Sequence, residues 1–195
     1  MNQDTGEPFE LRNGDMDTRV DLNNLVKDYK LFVDTGSLLE PSADKVFLDL
    51  LLPLLQRYDT NMLVSVRTID NLEYFRTTQN SAAQAKAAEA LKILKSIQNA
   101  NRLLDAKYPH PIAGDRFDTS KLFAELFIAY QLKYRLCLIT QNESIALQIL
   151  KNSRSQAIDS AKDIKVVYVD NGNLSNWELT FKKGLCCNGN FDNIF

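Results

Sequence analysis

The sequence is poor in the residues that build disulfides and histidine-based catalytic sites. It contains three cysteines and one histidine among 195 residues. Cys186 and Cys187 are adjacent and Cys137 lies in an apolar run, so the cysteines form neither a CxxC pair nor a disulfide framework. This usage is typical of a reducing compartment. The single histidine, His110, stands between two prolines and leaves little room for a catalytic triad.

A strong net charge and a long apolar run are also missing. The formal charge of -2 and the pI near 5.5 provide no global basic field, so nucleic-acid binding would depend on a local patch. No stretch approaches the roughly 20 apolar residues of a membrane span, and the first residues are polar and acidic. We therefore expect a soluble cytoplasmic protein without membrane contact, and 195 residues favour one domain.

Glycine-based phosphate-binding motifs are absent as well. Gly36 alone follows the first predicted strand, which excludes both the Gly-x-Gly-x-x-Gly fingerprint and a P-loop at this place. The same residue stands where an Asp-x-Asp phosphatase needs its second acid. Residues 34–37 spell Asp-Thr-Gly-Ser, the aspartic-protease tetrad, but they continue into a helical pattern and no second copy exists. We therefore exclude that protease class.

Four short apolar runs alternate with helical patterns along the chain. The runs at 31–33, 62–66, 136–139 and 166–169 are continuous, which is typical of strands covered on both faces. Helices are predicted over 41–56, 69–75, 81–104 and 143–150, and one more begins at Asp118 with Leu122, Leu126, Ala129 and Leu132 inward. This alternation predicts an α/β domain with a central parallel sheet of four to five strands flanked by helices.

The predicted domain covers residues 30–170. Residues 1–29 are predicted to be a flexible or partly helical N-terminal extension, because they are polar and lack a sustained period. Residues 171–195 are predicted to be a C-terminal extension that includes a candidate peripheral strand around 177–181.

Oxygen-bearing side chains recur where the predicted strands end. Asp34 closes the first apolar run, and an acid at the end of a buried strand is costly unless something pairs with it. Because carboxyl ends of parallel strands meet at one edge of a sheet, these side chains are expected to lie together. Carboxylate and amide oxygens suit Mg²⁺ or Mn²⁺, and such an ion can activate water against a phosphodiester. The oxygen-bearing residues at these strand ends and at the predicted helix start are Asp34, Asn71, Glu73, Asp118, Thr140, Asn142 and Glu143.

Four segments resemble the motifs of PIN domains, a family of metal-dependent ribonucleases, and the resemblance covers roughly residues 30 to 170. Residues 31–39, Leu-Phe-Val-Asp-Thr-Gly-Ser-Leu-Leu, look like the first motif of the family. Residues 66–75 are similar to the segment in which the family carries a Glu before a Leu. Residues 118–124 resemble the third acidic motif, and residues 138–146 resemble the segment with Thr-x-Asp.

The resemblance implies a Mg²⁺- or Mn²⁺-dependent endoribonuclease, either a toxin-type or an RNA-processing enzyme, that leaves 3′-hydroxyl and 5′-phosphate ends. Asp34 and Asp118 would bind the ion, and Asn71 and Asn142 would add weaker contacts to the catalytic set. The residues that would steady the site or replace its ligands are Thr35, Ser37, Thr140, Glu73 and Glu143. RNA is the implied partner, and the family also includes members with an antitoxin or another protein partner and homodimers.

Asparagine stands at two positions where the family carries an acid, Asn71 and Asn142. Asparagine keeps an oxygen ligand and drops a negative charge, which weakens metal affinity. A second hypothesis is therefore a catalytically degenerate PIN domain that acts as an RNA- or protein-binding module. Helix capping also accounts for Asp118 and Asn142, and Ser37 with Glu40 matches a capping box.

Overall fold

Five parallel strands form the centre of a mixed sheet in the computed structural model, which describes residues 9–13, 20–78, 80–105, 120–155 and 162–181. The first strand, β1 (Phe9–Asn13), lies outside this centre. The parallel strands are β2 (Lys30–Val33), β3 (Met62–Val64), β4 (Leu103–Asp105), β5 (Leu136–Ile139) and β6 (Ile164–Asp170). Their spatial order is β6-β5-β2-β3-β4. The central pair β2 and β5 therefore has parallel neighbours on both sides.

Two antiparallel strands extend the sheet beyond β6. The first half of β7 (Asn173–Phe181) pairs with β6, which makes a six-stranded mixed sheet, and its second half pairs with β1. The described strands number seven with β1 included, in the order β1-β7-β6-β5-β2-β3-β4. The α/β prediction with a mostly parallel sheet is confirmed. The predicted count of four to five strands is wrong: β4 forms where the helix over 81–104 is predicted to end, and β7 adds an antiparallel strand to the five parallel ones.

Helices cover both faces of the sheet. The elements on one face are α1 (Leu22–Asp28), a π-helix (Lys45–Leu51), α3 (Leu52–Arg57), α4 (Val66–Thr78) and α5 (Ser81–Asn99). The opposite face carries α6 (Ser120–Tyr130) and α7 (Glu143–Ser155). The short helix α2 (Thr35–Leu38) directly follows β2 and Asp34. Leu31 and Val33 pack into the first core and Phe32 into the second. Burial on both faces explains the continuous apolar runs.

Several predicted boundaries differ from the structure for local reasons. The helix predicted to reach residue 104 ends at Asn99, because Asn101 adopts a left-handed conformation with φ 56° and the chain then enters β4. The strand predicted to reach residue 66 ends at Val64, since the Ser65 hydroxyl accepts a hydrogen bond from the Thr68 N–H (2.9 Å) and begins α4. In place of one helix over 41–56, the π-helix passes into α3, whose first turn contains Pro53.

Helix α6 buries a different set of residues from the one predicted. Leu122 and Leu126 are buried as expected, together with Phe123 and Phe127. Ala129 is exposed, and Leu132 is exposed because α6 has already ended at Tyr130. The predicted inward line is therefore right for the first half of the helix only.

Elements outside residues 30–170 also contribute to the cores. Leu25 and Val26 of α1 are fully buried in the first core, and Trp177 of β7 is buried in the second. Asp118, His110, Cys186 and Cys187 lie outside the described residues. Within the described ranges, no helix has the length and apolar character needed to cross a membrane.

Candidate functional site

Three buried polar residues follow three neighbouring strands at one edge of the sheet. Asp34 follows β2, Ser65 follows β3 and Thr140 follows β5. Val33 pairs with Val64 on one side and with Ile139 on the other, so the next residue of each strand reaches the same edge. All three side chains are nearly inaccessible to solvent. The strand ends therefore bring polar groups to one edge of the sheet; Asp34 and Thr140 are among the predicted residues there, and Ser65 is not.

The Asp34 carboxylate is buried and held by two hydrogen bonds. Asp34 is the N-cap of α2, and its Oδ1 accepts from the backbone N–H of Ser37 (2.8 Å). Its Oδ2 accepts from the Thr140 hydroxyl (2.5 Å). Burial raises the pKa of Asp34 above its usual range, and the hydrogen bonds from Thr140 and Ser37 act in the opposite direction. The carboxylate is thus fixed in orientation while its charge is incompletely compensated.

Thr140 connects this carboxylate to the outer strands. Its Oγ1 donates to Asp34 and accepts from the backbone N–H of Asn142 (3.0 Å). Its carbonyl accepts from Nε1 of Trp177 (3.0 Å), and its own N–H donates to the Val167 carbonyl (2.8 Å). The position of the Asp34 partner is therefore determined by β6 and β7 as well as by β5.

The loop after β5 is fastened by two amide side chains. Asn142 caps α7, since its Oδ1 accepts from the Ile145 N–H (3.1 Å), which confirms the capping interpretation of this residue. Gln141 bonds the Val169 backbone at both ends of its amide: Nε2 donates to the carbonyl (2.9 Å) and Oε1 accepts from the N–H (3.2 Å). No local sequence pattern predicts this clamp, because Gln141 and Val169 are 28 residues apart.

A pocket of about 590 Å³ brings together three of the four residues predicted as catalytic, Asp34, Asn71 and Asn142. Asn71 is 5% exposed, and its Oδ1 has no hydrogen-bond partner within the described residues. The remaining lining residues are Thr35, Gly36, Leu39, Tyr74, Phe75, Gln141 and Ile145. Of these, only Thr35 was predicted as a site residue. For Tyr74 and Phe75 the sequence contained one usable signal, because they lie one helical turn from Asn71.

The predicted acidic substitutes lie elsewhere. Glu73 forms an ion pair with Arg76 on the exposed side of α4 (Oε2 to Nη2, 2.6 Å). Glu143 is exposed in the first turn of α7, and neither glutamate is among the residues that line the pocket. Ser37 lies inside α2 and is fully buried, so the predicted capping box with Glu40 is wrong. The N-cap of α2 is Asp34, three residues before Ser37.

The donor set in the pocket fits a hard cation in a limited way. Within the described ranges, no group of three or more Asp, Glu, His or Cys side chains is arranged to hold a metal ion. The pocket nevertheless offers the Asp34 carboxylate and the unpartnered Asn71 Oδ1. Mg²⁺ commonly takes only one or two carboxylates from a protein and completes its shell with water and substrate phosphate. These residues therefore suit a Mg²⁺ or Mn²⁺ ion that takes few ligands from the protein and the rest from water and substrate.

Comparison with known proteins assigns no family: no protein-family model matches the chain, and no curated protein is significantly similar to it in sequence.

Proposed function

We propose that the chain is a Mg²⁺- or Mn²⁺-dependent endoribonuclease that hydrolyses RNA phosphodiester bonds at the Asp34 pocket, as a PIN-like fold would. The observation that carries this proposal is the unpartnered, buried oxygen of Asn71 in the same pocket as the buried carboxylate of Asp34. A buried polar atom without a partner is costly, and a cation with its waters would satisfy it. Asp118, the other ligand implied by the resemblance, lies outside the described residues.

Each pocket residue has a defined task in this proposal. Asp34 supplies the anionic ligand, and the hydrogen bonds from Ser37 and Thr140 hold its oxygens in place without neutralising them. Asn71 supplies a neutral oxygen, and Asn142 fixes the start of α7 at the rim. When bound, a divalent ion lowers the pKa of water and offsets the charge of a phosphodiester. The raised pKa of Asp34 means that protons compete with the ion at low pH.

Incubation of the purified protein with a mixed RNA pool in Mn²⁺ tests the proposal. We expect cleavage that is lost on chelation and lost in the Asp34→Asn variant. The matched control is Glu89→Gln, which removes a carboxylate from the exposed surface of α5, where Glu89 pairs with Lys92 (3.1 Å), and should cleave like wild type. Equal residual cleavage by wild type and Asp34→Asn would attribute the activity to a contaminant and refute the proposal.

A second function is favoured by the charge of the pocket. Asp34 is the only acidic residue among its described lining residues, whereas Asn71 and Asn142 are neutral. A degenerate PIN-like module that binds RNA or protein without cutting would have this composition. The two functions differ in one measurement, because the degenerate module would retain RNA binding in Mn²⁺ and show no cleavage. A toxin-type role, an antitoxin or other protein partner, a homodimer and a cytoplasmic location stay predictions.

A further inference from the structure

The pocket beside Asp34 contains an aromatic wall that metal binding does not require. Asn71, Tyr74 and Phe75 occupy positions i, i+3 and i+4 of α4 and therefore share one face of that helix. All three line the pocket. The Tyr74 side chain is 41% exposed, and its ring lies 6.1 Å from the ring of Phe75 at an interplanar angle of 56°. A large accessible ring therefore stands one helical turn from the proposed metal-binding amide.

The rest of the pocket matches a flat, partly apolar ligand. Leu39 and Ile145 add aliphatic surface to the lining, and the pocket volume of about 590 Å³ lies within the range of roughly 300–1,000 Å³ typical of small-molecule sites. A site that held only a hydrated ion and a phosphate would gain nothing from aliphatic and aromatic surface. A nucleobase, in contrast, presents a π-face that stacks on aromatic rings whatever its identity.

We propose that Tyr74, supported by Phe75, stacks an unpaired nucleobase next to Asp34 and so positions the RNA strand at the site. This inference rests on the proposed function, since it takes RNA as the ligand of the pocket. Bases in a duplex are stacked on one another and their faces are inaccessible, whereas unpaired bases can be splayed onto a protein ring. Stacking is tolerant of base identity, so the wall selects unpaired regions with little sequence preference. Tyr74 is a substrate-positioning residue and takes no part in the chemistry.

Equilibrium binding in chelator tests the wall without any cleavage. The probes are a labelled, unstructured oligoribonucleotide and a hairpin that pairs the same bases and is closed by a non-nucleotide linker, so that it has no unpaired base. Binding of both is measured by fluorescence anisotropy. We expect the single strand to bind more tightly than the hairpin. Tyr74→Ala should weaken binding of the single strand about 10-fold, which corresponds to about 1.4 kcal/mol, and Tyr74→Phe should restore it. Asp34→Asn should retain binding, which separates this inference from the catalytic proposal.

A matched aromatic control lies at the opposite edge of the sheet. Tyr134 has Lys133 and Lys30 over its ring at 5.1 and 5.7 Å and lines a different pocket, which is built around the first residues of β2 and β5. Tyr134→Ala removes the same ring from a more basic surface and should leave the affinity unchanged. Equal losses in Tyr74→Ala and Tyr134→Ala, or no loss in Tyr74→Ala, would overturn the proposal.

Tyr74→Trp provides a direct signal of stacking. The only tryptophan of the chain, Trp177, is 8% exposed, so a tryptophan at position 74 would dominate the fluorescence change on ligand binding. We expect quenching by the single-stranded oligonucleotide and none by the hairpin at equal concentration. Quenching by both, or binding by wild type to neither, would refute the inference. Absence of Mn²⁺-dependent cleavage with quenching intact would refute only the catalytic proposal.

Discussion

Replacing Thr140 by Val tests whether the Asp34 carboxylate depends on its neutral hydrogen-bond donors. Valine keeps nearly the same shape but removes the hydroxyl that donates to Asp34 Oδ2 (2.5 Å) and accepts from the Asn142 N–H (3.0 Å). A buried hydrogen bond to a charged group contributes about 1.5–3 kcal/mol, and a partly buried N–H left without a partner costs about 1 kcal/mol. We expect the free energy of unfolding to fall by about 3 kcal/mol in the pH range where Asp34 is ionised in the folded state.

The loss should depend on pH with a definite sign. The hydroxyl favours the ionised form of Asp34, whose pKa is raised by burial from 3.8. Above the folded-state pKa the carboxylate is ionised, and the variant loses the whole charge-assisted bond. Below it the carboxyl is protonated, so the variant loses only a neutral hydrogen bond, roughly 1 kcal/mol. The difference between wild type and Thr140→Val should therefore grow as the pH rises.

Urea unfolding at about pH 7.5 and at acidic pH measures both quantities. Thr140→Ser is the control, since it keeps the hydroxyl and removes one buried methyl group at a cost of about 1 kcal/mol. The reasoning would be refuted if Thr140→Val were no more destabilising than Thr140→Ser. It would also be refuted if the loss were the same at both pH values, because the hydroxyl would then make no charge-dependent contact with Asp34.

Three further substitutions test neighbouring parts of the site. Asp34→Asn keeps the cap of α2 and removes a buried charge. Because burial raises the pKa of Asp34, the variant should become increasingly more stable than wild type as the pH rises above about 4. Lower stability of the variant in urea unfolding at neutral pH would contradict this. Asn142→Asp keeps the cap of α7 and adds a carboxylate to the pocket. The affinity for Mn²⁺, measured by titration calorimetry, should rise about tenfold. No gain in affinity would argue against matching residues 138–146 to the Thr-x-Asp motif. Trp177→Phe leaves the Thr140 carbonyl without its indole donor. The free energy of unfolding should fall by about 1–3 kcal/mol. A loss under about 0.5 kcal/mol would mean that a water molecule replaces the indole as donor.

The strands at the centre of the sheet were predictable because both of their faces are buried. The run 136–139 coincides with β5, and β2 begins one residue before the predicted run. Strand β4 was not predictable in the same way. It has three residues at an edge of the described sheet, and Leu104 is exposed, so no continuous apolar run marks it. Asn101 with its positive φ was the local sign that the preceding helix had ended.

The candidate site was predictable only as far as strand ends determine it. Asp34 and Asn142 line one pocket because they follow β2 and β5 at the carboxyl edge, and Asn71 reaches the pocket from the second turn of α4, the helix after β3. The contacts that hold them depend on tertiary pairing instead. Gln141 reaches Val169, and Trp177 reaches Thr140 across 37 positions, because β6 and β7 lie beside β5. Neither contact leaves a periodic or local signature in the sequence.

In the proposed function, stability and metal binding make opposite demands on Asp34. Its two hydrogen-bond donors, the Ser37 N–H and the Thr140 hydroxyl, are neutral, and burial raises its pKa despite them. Ionisation of this carboxyl group is therefore less favourable in the folded state than in the unfolded state. Asparagine would cap α2 as well and avoid that cost. In the proposed function, the divalent ion would offset this cost on binding, because it interacts with the ionised carboxylate in the folded state only.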